Sequence, residues 1–467
     1  MNTINSNSEA QKNKSGHPSP LRRGAGGEVK GSSFYRDALR NALLTIILAT
    51  LLFACGKKDQ SDEALLWEYY KGFTYAPELF DSLSRLAKEP STKLFFSGLK
   101  CFEKYSQDEK LDCYDSAFNI FSDLQKHFPE NYLGHLGMGL LMTEKGMMVG
   151  DKIYFDSAVR FYENAHRANP AHAATYYYRG RNEYNRDKNA VNENAIRFLD
   201  TATQLKPDFF KAAERSARFL SHYLDLAIVS ANKNPLAEVA SVNDLEQKFN
   251  ATFPQAKDRV RYLFAQSLSI DPSWYETYQD IASAHHVYSA KERLDFLQKG
   301  IAIARKKKSK DSLQLIKSLA NLYYFDLVDY EKARNEYGHW ISQHGNATDY
   351  INLAWCQHFL GQPEAVPYLM QQAVKKDNSG KACFEYALFY KEQDRYGDAL
   401  TQLDEALKKE GRNSAQTIVG NIERAKILEL MGRKNDARLL LNEIIKTGLD
   451  TEEVQKAGVL AEVLSKR

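Results

Sequence analysis

Two adjacent histidines, His285 and His286, and a handful of cysteines are the residues of this chain best suited to metal or redox chemistry. An imidazole pair holds a zinc-like ion when a carboxylate or thiolate stands at ligand spacing beside it. None does here along the sequence, so the pair reads as structural and no metal is expected. Cys101, Cys113, Cys356 and Cys383 have no CxxC spacing, and separations of twelve and twenty-seven residues do not argue for a disulfide. There is no GxGxxG turn, no phosphate loop, no HExxH and no GxSxG. With no catalytic constellation and no cofactor expected, the chain reads as non-catalytic.

Cys55 stands apart. It follows Ala42–Ala54, an uncharged and mostly apolar run preceded by Arg36 and Arg40. That run is shorter than the ~20 residues a bilayer span needs, but it suits the apolar core of a secretory signal. Its end, Leu52-Phe53-Ala54-Cys55-Gly56, resembles the lipobox of bacterial lipoproteins, with a Leu three before the Cys and a small residue directly before it. Phe53 is bulkier than that family usually carries. The resemblance implies that the Cys55 thiol is diacylated and becomes the new N-terminus. Two acyl chains hold a protein stably where one does not, so the membrane enters as a partner through Cys55. The implied location is the bacterial cell envelope, at the outer membrane, facing the periplasm or the cell surface. Residues 1–33, polar and without an apolar period, read as disordered or as a start assigned too early. Residues 34–55 are the signal peptide and 56–61 a polar tether.

Charge narrows the classes of partner. The chain has 63 Lys+Arg against 60 Asp+Glu. Residues 1–55 take seven of the basic and three of the acidic side chains, leaving 56 against 57 beyond them. A balanced body has no electrostatic footprint for nucleic acid. The one dense basic run, Arg305–Lys310, fits a helix C-terminus, where cations meet the negative dipole end. With 25 Gly and 12 Pro among many Ala, Leu, Lys and Glu, the composition points to an all-α chain.

Positioning elements come from a repeat. A small residue, a large apolar one four later, a small or apolar one seven later and a Pro twelve later recur as Ala117/Phe121/Leu124/Pro129 and Ala158/Tyr162/Ala165/Pro170. They return as Ala195/Leu199/Ala202/Pro207 and Val260/Phe264/Ser267/Pro272. Later copies drop the Pro: Ala333/Tyr337/Trp340, Val366/Met370/Ala373, Ala399/Leu403/Ala406 and Ala437/Leu441/Ile444, with a weaker one at Leu297/Gly300. Offsets of four and seven share one helical face, and the Pro stops the helix at a fixed point. A second pattern lies upstream, as in Ile316/Leu319/Ala320/Tyr323, Tyr350/Leu353/Ala354, Tyr386/Ala387/Tyr390 and Ala425/Leu428.

Together the two patterns resemble the tetratricopeptide repeat over roughly residues 92–448. The resemblance implies an all-α solenoid of about nine helix pairs wound into a right-handed superhelix with a concave groove. Expected around it are N-terminal capping helices over 62–91, a first repeat block over 92–221, a second over 259–448 and a polar-faced capping helix over 449–467. Residues 222–258 break the period and read as an insertion or hinge, and "TEKGMMVGDKIYF" reads as a longer loop inside an early repeat.

In this family the groove is lined by positions 2, 5, 9 and 12 of each first helix. Those positions hold Tyr177, Arg181 and Tyr184, then Lys211, Glu214 and Arg218, then Gln279 and His286. Next come Lys317, Asn321 and Tyr324, then Ile351, Trp355 and His358. Aromatics beside Arg and Lys suit an extended or acidic peptide, so the expected partner is a protein or peptide. Lys317, Asn321, Asn352 and Lys381 also match the carboxylate clamp of chaperone cofactors, except that Glu385 stands where an Arg belongs. The reading that results is a lipid-anchored, extracytoplasmic interaction scaffold. Its rival is a nutrient-binding lipoprotein similar to SusD, disfavoured by only four Trp and few interruptions of the repeat.

Overall fold

The structure, a computed structural model, describes residues 61–71, 77–108, 110–188, 192–232, 255–306, 312–409, 415–447 and 452–466. The disordered start, the signal peptide with Cys55 and the tether up to residue 60 lie outside the described residues. Among the described residues all the regular structure is helical. Two helices, α1 (Asp62–Lys71) and α2 (Pro77–Leu86), precede the repeats. Then come the pairs α3 (Pro90–Asp108) with α4 (Leu111–His127), α5 (Tyr132–Val149) with α6 (Lys152–Ala168), and α7 (Ala173–Arg186) with α8 (Glu193–Leu205). The middle pairs are α9 (Phe210–Asn232) with α10 (Ala256–Ile270), α11 (Tyr275–Ser283) with α12 (Ala290–Lys306), and α13 (Ser312–Phe325) with α14 (Tyr330–His344). The last are α15 (Ala347–Phe359) with α16 (Val366–Lys376), α17 (Lys381–Glu392) with α18 (Tyr396–Lys409), and α19 (Ala415–Leu430) with α20 (Lys434–Lys446). Helix α21 (Glu452–Lys466) follows. This is the expected α-solenoid of tetratricopeptide-like pairs, each packed on itself and on the next.

The small–large–small set on each second helix explains why the pairs close. Ala117, Phe121 and Leu124 have no exposed surface, and neither do Ala158, Tyr162 and Ala165 or Ala195, Leu199 and Ala202. All the later copies are buried too, down to Ala437, Leu441 and Ile444. Burying each large member contributes ~1.5–3 kcal/mol. The facing first helices make room with glycine. A methyl group on Gly98 would lie 2.3 Å from the Phe121 ring, and one on Gly137 only 2.4 Å from it. Phe121 is thus gripped between α3 and α5 by two residues that have no side chain to clash.

Helix ends follow the local chemistry. Pro129, Pro170, Pro207 and Pro272 each stand two residues beyond the last residue of α4, α6, α8 and α10. Asn131, Asp151, Asn192 and Asp329 accept an N–H of the first turn of the helix they precede, and Asn346 with Asp349 forms a reciprocal capping box at α15. Arg305 and Lys306 fall in the last turn of α12, where their charges suit the dipole.

Three expectations differ from what the structure shows. "TEKGMMVGDKIYF" is no loop: Thr143–Val149 completes α5, and Lys152 already belongs to α6. Gly150 takes the left-handed conformation at φ 77° and Asp151 caps the next helix, so two residues make the whole connection. The boundary expected at 221/222 falls inside α9, which continues to Asn232, and 256–258 already lie in α10, while residues 233–254 are outside the described part. Finally, α21 does not close the stack with a purely polar face. Val459 is 64% and Val463 40% exposed, one turn apart on its outer side.

Gly137→Ala should destabilise the protein by ~1–3 kcal/mol, because neither the Phe121 ring nor the backbone can yield. Gly338→Ala, in α14 with no heavy atom near the added methyl, should be neutral or stabilising by up to ~1 kcal/mol. Urea titrations of the two variants check the register; equal midpoints would refute it.

Candidate functional site

The first helices of successive pairs touch one another directly, α3 with α5, α5 with α7, α7 with α9, α11 with α13 and α15 with α17. They form the inner face of the solenoid, and the expected groove residues all lie on them. In the first half that face is not empty, because α1 lies on it. Its Leu65, Leu66, Tyr69 and Tyr70, one turn apart on one face, are each no more than 5% exposed. The Trp67 ring lies 4.9 Å from Phe209, at the start of α9, and Lys206 Nζ sits 5.2 Å over it. Tyr70 meets His172 edge-on at 5.3 Å and Tyr178 of α7 at 6.2 Å. The Tyr69 hydroxyl donates to Glu103 Oε1 of α3 at 3.5 Å, and Tyr70 lies beside Tyr132 of α5. Ten residues therefore reach four consecutive pairs. The sequence places α1 as an end cap; it is instead an occupant of the groove.

Asp62 fixes the entry of this helix. Its carboxylate accepts the backbone N–H groups of Lys88 and Glu89, both at 2.8 Å, just before α3 begins. Burial works against its charge, but those two amides, the Thr92 hydroxyl and the Lys88 charge lower its pKa on balance.

Below α1 the inner face carries a ladder of charge. Glu103 and Glu144 come from α3 and α5, Arg181 from α7, Lys211, Glu214 and Arg215 from α9, and Glu276 and Asp280 from α11. Arg215 bridges Glu214 at 3.4 Å and Glu276 at 2.9 Å, and Arg218 faces Asp280 at 3.7 Å. Burial and the neighbouring Glu144 push Glu103 up to about 8, against the opposing pull of Lys211, Tyr69 and Arg181. Burial likewise lowers Lys211 well below an ordinary lysine, although Glu276 and Glu214 pull the other way. His172 is driven by burial to about 3 and stays neutral, with Nδ1 2.9 Å from Thr175 Oγ1.

Of the residues expected here, Tyr177 is buried against Phe209 at 4.9 Å, and Arg181 lies 5.8 Å over Tyr177. Tyr184 stacks flat on Phe219 at 3.7 Å. Structure thus brings Tyr177, Arg181, Lys211 and Glu214 together. Glu103, Glu144, Arg215 and Glu276 carry no local mark that singles them out along the chain.

In the second half three of the four residues matching a carboxylate clamp, Lys317, Asn321 and Asn352, serve the fold. Asn321 accepts the Tyr337 hydroxyl at 2.6 Å, and Asn352 donates to that same oxygen at 2.9 Å. Lys317 pairs at 3.1 Å with Asp349, a buried carboxylate that also receives the Trp340 indole N–H at 2.7 Å. The anion that such a lysine would seek in a ligand is supplied from within. Lys381, exposed at the start of α17, stands near Glu385, whose carboxyl burial raises despite the Trp355 indole N–H it accepts at 3.0 Å. Tyr324 is buried beside Tyr330 at 5.7 Å, Ile351 is buried, and His358 Nε2 lies 2.7 Å from Glu392. Tyr324, Trp355, His358 and Lys381 are the remaining groove candidates of this half. Gln279 is half-buried on α11, but His286 lies beyond the end of that helix. Cys101, Cys113, Cys356 and Cys383 are free thiols, and burial pushes Cys356 up to about 12.

No helix among the described residues is long and apolar enough to cross a membrane. No protein-family model matches the chain, and no curated protein matches it either. Solved structures with a related trace include MamA, 16% identical with a TM-score of 0.29, covering 44% of this chain and 95% of that one. Acl4, an assembly chaperone of RpL4, is 14% identical with a TM-score of 0.39, covering 59% and 98%. The human IFIT1 dimer with m7Gppp-AAAA is 12% identical with a TM-score of 0.45, covering 91% and 97%. Likeness at this level says nothing about function.

Glu103 yields a prediction with a definite sign. Its pKa is raised from 4.5 in the unfolded chain to about 8 in the fold, so the folded state holds the extra proton between those values. Its contribution is present below about 4.5 and is lost as pH rises towards about 8. Glu103→Gln should therefore melt close to the wild type at pH ~5 and above it at pH ~8. Parallel melting curves across that range would show that Glu103 ionises freely.

Proposed function

We propose that this chain is a lipid-anchored, extracytoplasmic scaffold whose concave face binds a protein or peptide and which catalyses no reaction. One observation carries the reading: the inner face of the first half already holds a helix of the chain itself. Aromatic and leucine side chains one turn apart on α1 dock against four successive pairs, which is how a groove of first helices receives a helical segment. In the second half Lys381 is exposed and His358 half-buried beside the buried rings of Tyr324 and Trp355, and a partner segment would lie across them.

The lipid anchor gives this arrangement a direction. Cys55 precedes Asp62 by seven residues, so even fully extended chain places the start of α1 within ~25 Å of an acylated Cys55. Helix α1 then holds the first groove close to the bilayer, and the second half projects away from it. An acylated Cys55 would place the scaffold in the bacterial envelope, and the outer membrane is the membrane we propose for it.

Cys55→Ala should move the protein from the membrane pellet to the soluble fraction; retention in the pellet would remove the anchor. A photo-crosslinking residue at Lys381, on the inner face, should capture a protein partner in intact cells, and one at the exposed Leu439 on α20 should not. Equal labelling from both positions would remove the groove as the binding face.

A further inference from the structure

The carboxylate that the sequence does not place beside His285 and His286 arrives in space from α9. Asp225 Oδ1 lies 3.6 Å from His286 Nε2 and 4.0 Å from His285 Nε2. The two imidazoles are 4.0 Å apart between ring centres, with their planes at 49°. One ligand atom from each of the three residues falls within 4.8 Å of the others. Ligands bound to a zinc ion at ~2.0–2.2 Å in a tetrahedral shell stand about 3.3 Å from one another, so the three donors are within an ångström or two of closing on one ion.

Two features of the fold point the rings this way. Helix α11 stops at Ser283 after nine residues, and the chain turns over 285–287, so the histidines leave the helical face on which the sequence places them. Ala284, Val287 and Tyr288 on either side of the pair are buried and fix the turn. His285 Nδ1 then lies 3.0 Å from the Ser283 carbonyl oxygen, a contact in which only an N–H can donate. In the neutral ring that assignment leaves the lone pair on Nε2, directed at Asp225. A backbone carbonyl orienting the far nitrogen is the usual support of a metal-bound histidine.

We infer that Asp225, His285 and His286 form a site for a divalent transition ion of the zinc class. Two imidazoles and one carboxylate suit such borderline ions, in contrast to calcium or magnesium, which prefer oxygen ligands. Each of the three side chains is about a quarter to a third exposed, at 26%, 30% and 27% for Asp225, His285 and His286. Solvent or a fourth ligand can therefore reach the ion, and three protein ligands leave a coordination position for it. The ion would tie α9 to the turn after α11, joining residues on both sides of the stretch 233–254. His222, one turn before Asp225, is not part of the set, because its Nε2 contacts the Lys188 carbonyl at 3.1 Å.

Isothermal titration of the chelator-treated full chain with zinc chloride tests the inference. One ion should bind per chain, and Asp225→Asn, His285→Ala and His286→Ala should each weaken binding roughly tenfold or more. His339→Ala, on the exposed face of α14, should bind as the wild type does. Cobalt(II) in place of zinc should give visible absorption bands that all three site variants lose. Asp225→Asn preserves shape, and far-ultraviolet circular dichroism confirms that each variant is folded before titration. Absence of stoichiometric binding by the wild type, or binding unaltered in all three folded variants, would overturn the site and leave the histidines as an ion pair with Asp225.

Discussion

The rest of the structure depends on one constraint: a single helix pair has too little area to hide its own apolar face. The second helices answer with the same wedge, a large side chain four residues after a small one, and several first helices answer with a glycine gap. At Phe121 the gap is made by Gly98 and Gly137, and at Tyr162 partly by Gly139. Where the wedge is a tyrosine, its hydroxyl must also be satisfied inside the stack. Tyr162 meets Thr143 at 3.0 Å, and Thr143 passes the chain of bonds to Asn182 of the next first helix at 2.8 Å. Tyr337 makes the equivalent link between Asn321 and Asn352. Neighbouring pairs are therefore joined by polar contacts as well as by packing, and a buried hydroxyl left without its partner would cost ~1–3 kcal/mol.

That constraint also explains what could be read from the sequence. Periodic positions such as Ala195, Leu199 and Ala202 declare themselves because burial demands the same residue type at the same offset in each copy. Proline stops were legible for the same reason. The groove was less so. Asn321 and Asn352 sit at positions where this fold can display a ligand-binding amide, and only the Tyr337 hydroxyl between them shows their use. Lys317 was ambiguous until Asp349, thirty-two residues away, was seen to neutralise it. The docking of α1 left no local mark, since its contacts reach as far as Phe209, 142 residues beyond Trp67. Gly150 and Asp151 did carry a local signal, a left-handed helix end followed by a cap, hidden within a stretch that reads as a longer loop of the repeat.

Charge on the inner face follows a different logic from charge on the outside. Pairs such as Arg433 with Asp436 are exposed, join neighbouring turns of one helix and contribute little. Arg215, Glu214 and Glu276 are withdrawn from water, so removing one partner leaves a charge with no compensation. Such networks fix orientation more than they add stability.

The fully buried core falls into clusters along the chain, joined by half-buried side chains such as Leu268, Phe296, Tyr390 and Leu400. One cluster runs from Leu65 to Tyr288 and includes α1, a second from Tyr278 to Phe389, and the last is confined to Ile418–Leu464 and the small group around Leu403. A tensile load on such a molecule does not meet one yield point. Pulled from the segment before Asp62, it gives way first where α1 is seated, and the remaining clusters extend in turn, so the chain behaves as springs in series that can lengthen stepwise without rupturing as a whole.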